Sequence, residues 1–262
     1  MRIVIHMKIA TWNVNSLRVR LPQALDWLAD QQPDVMCLQE TKVVDEDFPQ
    51  DEIREAGYHA AFVGQKTYNG VATLSRLPPT DVVTDVKGLG DTQKRLVAAT
   101  CNDVRVLNVY VPNGQEVGSD KYDFKLEWLQ RLTDYIATEL KSHDRLALLG
   151  DFNIAPEEQD VHDPAKWETS VLFSREVRQA FRELLALGLI DVFRAFDQPS
   201  SSFSWWDYRA GAFRRNFGLR IDHILCSQPL SAACQSCEID KVPRGWERPS
   251  DHTPVVATFA TG

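Results

Sequence analysis

The 262-residue chain is expected to fold as a single α/β domain spanning 1–262. Three observations carry that expectation. Short apolar runs with strand character alternate with segments whose apolar residues recur at helical spacing. No low-complexity or Pro/Gly-rich linker divides the chain. Two apolar runs, Val35-Met-Cys-Leu-Gln-Glu40 and Leu146-Ala-Leu-Leu-Gly-Asp151, end alike in a carboxylate. Each reads as a strand that delivers an acid to a sheet edge, where α/β folds bind their ligands.

The strands are expected at residues 9–14, 35–38, 70–74, 96–99, 104–111, 146–149, 221–226 and 255–259, all β-rich and apolar. Pro22 should open a helix running to Ala29, with Leu21, Leu25 and Leu28 on one face. Trp128, Leu129, Leu132, Ile136 and Leu140 mark a longer helix with a core-facing stripe. Val177, Phe181, Leu184 and Leu185 mark another, with Ser174 as its N-cap and Gly188 as its stop. Met7 could be an alternative start, which would make residues 1–6 an extension.

Composition excludes several classes. With 44% hydrophobic and 25% charged residues, the chain is neither disordered nor a disulfide scaffold. Five cysteines, an odd number, suit free thiols in a reducing cytoplasm. Cys234 and Cys237 form one Cys-x-x-Cys, which without a second pair is weak evidence for zinc. No run of about 18 apolar residues exists to span a membrane. Neither GxxxxGK[ST] nor GxGxxG occurs, so a nucleotide cofactor is not expected. A monomer is expected. The formal charge of −8 counts against a nucleic-acid partner if spread evenly. The acids are clustered, however: residues 34–55 hold eight acids against two bases, and residues 151–163 hold five against none. A localised basic footprint is therefore compatible with the total.

Polar residues recur just past the apolar strands: Asn13 and Asn15, Glu40 and Lys42, Tyr110 and Asn113, Asp151 and Asn153, Asp222 and His223, and Asp251 and His252. Any one cluster alone is ordinary turn or capping chemistry. Six together supply carboxylates, amides, a tyrosine and a histidine with Asp partners. An all-oxygen set such as Glu40, Asp251, Asn13 and Asp151 suits Mg²⁺, with Mn²⁺ as a substitute. Mg²⁺ keeps waters and binds substrate phosphate, which points to phosphoester chemistry. Asp222 and His223 are strand neighbours and face opposite ways, so only one enters the site. Asp222 is expected there, with His223 packed behind.

The motifs WNVNS, LQETK, YVPNG, GDFNIAP, GLRIDHIL and SDHTPV occur in the order found in the endonuclease/exonuclease/phosphatase superfamily. The stretch Ser204-Trp205-Trp206-Asp207-Tyr208-Arg209 resembles the bacterial exonuclease III and abasic-site endonuclease branch. The resemblance implies a four-layered α/β sandwich, two packed mixed sheets flanked by helices. It implies Glu40 as principal metal ligand with Asn13 and Asp251 nearby, and Asp151 orienting or deprotonating the attacking water. Asn153 would hold that water or a phosphate oxygen, His252 (held by Asp222) would contact the phosphate, and Tyr110 would stabilise the transition state.

Residues 204–220 carry four Arg against one Asp, interleaved with aromatics, a composition that grips phosphates and fills gaps in a base stack. At least one of Trp205 and Trp206 should be core. By resemblance Trp205 and Leu219 line a pocket for an extrahelical abasic sugar, and residues 64–70 form a second DNA-contacting loop. Gln65, Tyr68, Asn69, Asn113, Arg209 and Arg220 are the remaining expected DNA contacts. The implied activity is metal-dependent cleavage of double-stranded DNA, 5′ to abasic sites and at 3′ ends. Two alternatives remain: a phosphodiesterase of the same superfamily acting on lipid or inositol phosphates, and a non-catalytic regulatory relative. The first would want a membrane-facing apolar loop or a basic pocket for a small polyphosphate; the second would tolerate loss of Glu40, Asp151 or His252.

Overall fold

Strands buried on both faces read as unbroken apolar runs, and here they occupy the centres of two sheets. The structure is a computed structural model that describes residues 5–86, 89 and 93–261. Among these residues the first sheet contains β1 (Ile5–Asn13), β2 (Val35–Gln39), β3 (His59–Val63), β4 (Val71–Ser75), β11 (Cys234–Ile239) and β12 (Val255–Thr261). Its order is β11-β12-β1-β2-β4-β3. The second contains β5 (Thr80–Val83), β6 (Leu96–Cys101), β7 (Val104–Tyr110), β8 (Leu146–Asp151), β9 (Leu189–Asp191) and β10 (Asp222–Ser227), in the order β5-β6-β7-β8-β10-β9. The helices are α1 (Leu17–Gln31), α2 (Gln50–Glu55), α3 (Asp120–Glu139), α4 (Pro164–Trp167), α5 (Arg175–Ala186), α6 (Ala212–Arg215) and α7 (Gln228–Ser231).

Each sheet is mixed because it holds one parallel pair, β1 with β2 and β7 with β8. α1 and α3 are the crossover helices of these two βαβ units. Alternating side chains then build three cores. Ile9, Val35 and Cys37 face Val106, Ala147 and Leu149 between the sheets. Ala10, Met36 and Leu38 face outward under Trp27 and Leu28 of α1. Leu107, Leu146 and Leu148 face outward under Leu129 and Leu132 of α3 and Phe181 of α5. The result is helix, sheet, sheet, helix: the four layers expected.

Register places the polar strand ends at one edge. Asn13 pairs with Gln39, Tyr110 with Asp151, and Asp151 with Asp222. Gly150 is needed for the β7–β8 approach, since a Cβ there would lie 1.9 Å from the Val109 carbonyl oxygen at a φ of +146°.

Four strands were not anticipated, β3, β5, β9 and β11, and they are the four sheet edges. These edge strands are partly exposed where the central ones are buried throughout, so they lack the unbroken apolar run that marks the centres. α1 also begins before Pro22, at Leu17, with the proline inside it. The first turn is fixed from outside the helix: the N–H groups of Ser16 and Leu17 donate to the carbonyls of Glu40 and Thr41, at 2.7 and 2.9 Å. Ser174 stands at the N-cap of α5 with Gly188 just past its end, but the Ser174 hydroxyl is bonded to the Tyr122 hydroxyl at 2.6 Å. Of the expected extension, residues 1–4 lie outside the described residues, while residues 5 and 6 belong to β1 and pair with Thr261 and Ala260.

Candidate active site

The ends of β1 and β8 turn in the same way. Asn15 and Asn153 adopt left-handed backbone, φ 44° and 50°. Each N–H closes onto the side chain two residues back: Asn15 to Asn13 Oδ1 at 2.9 Å, Asn153 to Asp151 Oδ1 at 2.8 Å. These are Asx turns, which Asn tolerates. Glu40 and Lys42 are also left-handed, φ 51° and 55°, where neither has such a local excuse. Strain of this kind, about 1–2 kcal/mol per residue, persists where surrounding contacts over-determine it.

Asp151 is 1% exposed at the centre of the arrangement. Its Oδ2 accepts from Asn13 Nδ2 at 2.8 Å and lies 3.6 Å from His252 Nε2. The other imidazole nitrogen, Nδ1, donates to Asp222 at 2.9 Å. Asp222 is fixed in turn by the Ser204 hydroxyl at 2.6 Å. Burial opposes charge on His252, but Asp222 and Asp151 outweigh it and push the imidazole up. Burial pushes Asp151 up against the pull of His252. A proton on the imidazole is flanked by carboxylates at both ring nitrogens. His223 is buried on the opposite face, between Arg220 at 3.0 Å and the Ile154 carbonyl at 2.8 Å. Burial and Arg220 lower it to about 4, so it stays neutral.

Glu40 lies on the open side, its side chain 19% exposed. It accepts from Asn13 Nδ2 at 2.9 Å and from the Lys42 ammonium at 2.8 Å. Lys42 also donates to Asn15 Oδ1 at 2.6 Å, and Asn15 Nδ2 donates to Asp251 at 3.0 Å. The second Asp251 oxygen accepts from Trp205 Nε1 at 3.0 Å. Asn13 accepts the Asn15 N–H on its oxygen, and its amino group bridges Glu40 and Asp151, so it holds the two carboxylates in place. Tyr110 is half-buried beside Glu40; burial and the Glu40 and Asp151 carboxylates hold its hydroxyl well above the usual phenol value, so it is a neutral donor.

The donor chemistry fits a hard divalent cation. Glu40 and Asp251 supply exposed-side carboxylate oxygens, and an ammonium already neutralises Glu40. Asp151, Asp222 and His252 bring donor atoms within 4.8 Å of one another. Both imidazole nitrogens there already face carboxylates, however, so a cation among them would have to displace the imidazole proton.

The DNA-facing expectations divide. Asn113, Tyr68 and Arg209 are exposed, and Trp205 is partly so. Trp206 is the core tryptophan. Three placements differ from expectation. Arg220 is 1% exposed and bonded to Asp160 at 2.7 Å and Asp191 at 2.8 Å, so it holds the scaffold and reaches no surface. Leu219 is fully buried against Trp205, forming the floor beneath it rather than an open wall. Asn69 is buried and bonds Gln65 Oε1 at 3.1 Å, so it organises its loop. Arg209 is exposed and paired with Asp207; Arg214 and Arg215 are the further exposed cations of this segment, and Arg215 stacks on Phe217 at 4.2 Å.

Ser204, Lys42 and Asn15 hold site groups although no individual role was assigned to them. Lys125, which bonds the Asn153 carbonyl, is not among the expected site residues. Its signal was a lysine on the apolar stripe of α3, in step with Tyr122, Leu129 and Leu132.

Twinned βαβ units that bring carboxylates and an imidazole held between two of them to one edge of a two-sheet sandwich suit phosphate-ester hydrolysis. The chain belongs to the Endonuclease/Exonuclease/phosphatase family, whose model matches residues 10–252. It is 35% identical to exodeoxyribonuclease III of Haemophilus influenzae, across 97% of this chain and 100% of that one. It is 46% identical to the 3′ phosphatase NExo from Neisseria, solved bound to a product DNA hairpin, with TM-score 0.95 over 97% of this chain and 100% of that one. An AP endonuclease from Archaeoglobus fulgidus is 41% identical with the same TM-score and coverage. Among the described residues, no helix is long and apolar enough to cross a membrane.

Proposed function

We propose that this protein is a single-domain, metal-dependent DNA-repair nuclease that cleaves phosphodiesters of double-stranded DNA. Its reactions are incision 5′ to abasic sites and removal of nucleotides or blocking groups from 3′ ends. The observation that carries this is the Asp151–His252–Asp222 line, buried, proton-bearing and ending at the open edge beside Glu40. The names of the relatives support the substrate.

Asp151 orients and deprotonates the attacking water, with Asn153 holding it. His252 donates from Nε2 to a non-bridging phosphate oxygen, and Tyr110 donates to the charge that builds there. Glu40 is the principal ligand of Mg²⁺ or Mn²⁺, with Asp251 second; Asn13 keeps Glu40 and Asp151 apart and aligned. When bound, the cation offsets negative charge on the phosphate. Trp205, Arg209, Tyr68, Gln65 and Asn113 meet the DNA. The five free cysteines support a reducing cytoplasm, and a monomer suffices because every group named comes from one chain.

A time course on 3′-labelled duplex, with and without an abasic site and with and without EDTA, tests this reading. EDTA-sensitive cleavage is expected. Absence of metal-dependent cleavage of either duplex would refute the reading, and cleavage of phospholipid or inositol phosphate in its place would move the substrate elsewhere in the family.

A further inference from the structure

Lys125 is a fully buried lysine. Its ammonium donates to three carbonyls: Asn113 at 3.1 Å, Asn153 at 2.7 Å and Val171 at 2.8 Å. These belong to three separate segments, the loop after β7, the turn after β8 and the stretch before α5. An ammonium has three N–H donors, whereas a neutral amine has two and a lone pair that would face a carbonyl oxygen. The triad therefore favours charge, although burial lowers the group to about 7 against the pull of Asp151. The lysine stem passes close over Gly114, where a Cβ would lie 3.0 Å from Lys125 Cδ.

Two of the three carbonyls come from residues whose side chains also meet. Asn113 Nδ2 donates to Asn153 Oδ1 at 3.1 Å, and Asn153 Nδ2 donates to the Val111 carbonyl at 3.0 Å. The backbones of Asn113 and Asn153 are thus tied from inside by Lys125, and their side chains are tied at the site.

We propose that Lys125 is a positioning residue for hydrolysis: by clamping the Asn113 and Asn153 carbonyls, it fixes the Asn153 amide beside Asp151. This rests on the reading that Asp151 and Asn153 hold the attacking water. Without the clamp the left-handed turn at Asn153 loses the ammonium that anchors its carbonyl. A group that loses alignment by a fraction of an ångström loses rate rather than substrate affinity.

The test is Lys125→Met, similar in length but with no donor, assayed on abasic duplex. The expected result is a fall in kcat of about 30-fold with KM unchanged, in the range seen when groups behind a site are removed. The side-chain amide signal of Asn153, assigned by its loss in Asn153→Ala, should shift in a ¹⁵N spectrum, and Lys125→Arg should recover part of the rate. A folded Lys125→Met with parental kcat overturns the proposal. So does a lowered kcat with the Asn153 signal unmoved. Where Lys125→Met does not fold, Lys125→Gln is read in the same way; failure of both to fold makes Lys125 scaffold alone and also overturns it. Asp151→Asn in parallel separates the two readings. If Asp151→Asn is active, the reading of the site is wrong; if it is inactive beside a fully active Lys125→Met, only the lysine proposal is lost.

Discussion

The two βαβ units end alike and then diverge. β1 and β8 each close in an Asx turn, and β2 and β8 each end in or just before a carboxylate. The first unit leaves Glu40 facing solvent beside an ammonium. The second sinks Asp151 to 1% exposure against an imidazole locked to Asp222. One scaffold element thus produces two kinds of carboxylate. The solvent-facing one can exchange partners with a cation; the buried one has its affinity for protons set by its surroundings.

That contrast predicts different failures on the two sides. The largest is Asp151→Asn, which should lower kcat on abasic duplex by about 10³-fold, the scale of a lost general base. Excess Mg²⁺ should not restore it, and the thermal midpoint should not fall. Restoration by metal would place Asp151 with the ligands and erase the contrast.

Behind the buried side, Arg220→Ala should destabilise by about 3–5 kcal/mol in denaturant melts, because Asp160 and Asp191 lose their buried partner. Burial alone would raise Asp160, but Arg220 and Arg194 outweigh it and hold it below the usual carboxylate value. A folded-state value below the unfolded one stabilises above the unfolded value, and that contribution fades as pH falls through the folded one. In Arg220→Ala that contribution should be lost, so the fall in melting temperature between neutral and acid pH should become shallower than in the parent. A variant with parental stability and weaker DNA binding would return Arg220 to the DNA-contact set.

On the open side, Glu40→Gln should raise the Mg²⁺ concentration for half-maximal activity by about 30-fold, with most of the rate recovered at high metal. Loss that no metal concentration repairs would make Glu40 resemble Asp151. The smallest effect is expected at the rim. Arg214→Ala with Arg215→Ala should weaken binding to all duplexes similarly and reduce the salt slope by about 1 per arginine. An unchanged slope would put the footprint elsewhere.

The centre of this fold was legible in the sequence because central strands here are buried on both faces, and their apolar runs stop where a polar group is needed. Glu40, Asp151 and Asp222 could be placed for that reason. The edges β3, β5, β9 and β11 are not legible: strands with mixed exposure carry no such run. Arg220 was misplaced because an arginine beside aromatics reads as a phosphate contact until Asp160 is brought 60 residues across to it. Asn13 was assigned by residue type, whereas which end of its amide faces the carboxylates is decided by the Asn15 N–H. Lys125 announced itself by charge on a buried stripe, but its three acceptors are backbone groups from distant loops, which no side-chain pattern encodes.

The pairing of β1 with β12 has a consequence for the order of assembly. The second sheet uses only residues between Thr80 and Ser227, whereas the first joins strands from Ile5–Ser75 with strands from Cys234–Thr261. During synthesis the later sheet in sequence can close while the earlier one still waits for its central neighbour. Chain-distant pairings form late because the intervening loop must first be ordered. Asp151 would then be in place well before Asp251 and His252 arrive, so hydrolytic competence would be the last property the growing chain acquires. Pulse-labelled hydrogen exchange should show protection of β6, β7 and β8 ahead of β1 and β12; the reverse order would mean that the chain-distant pairing nucleates the fold.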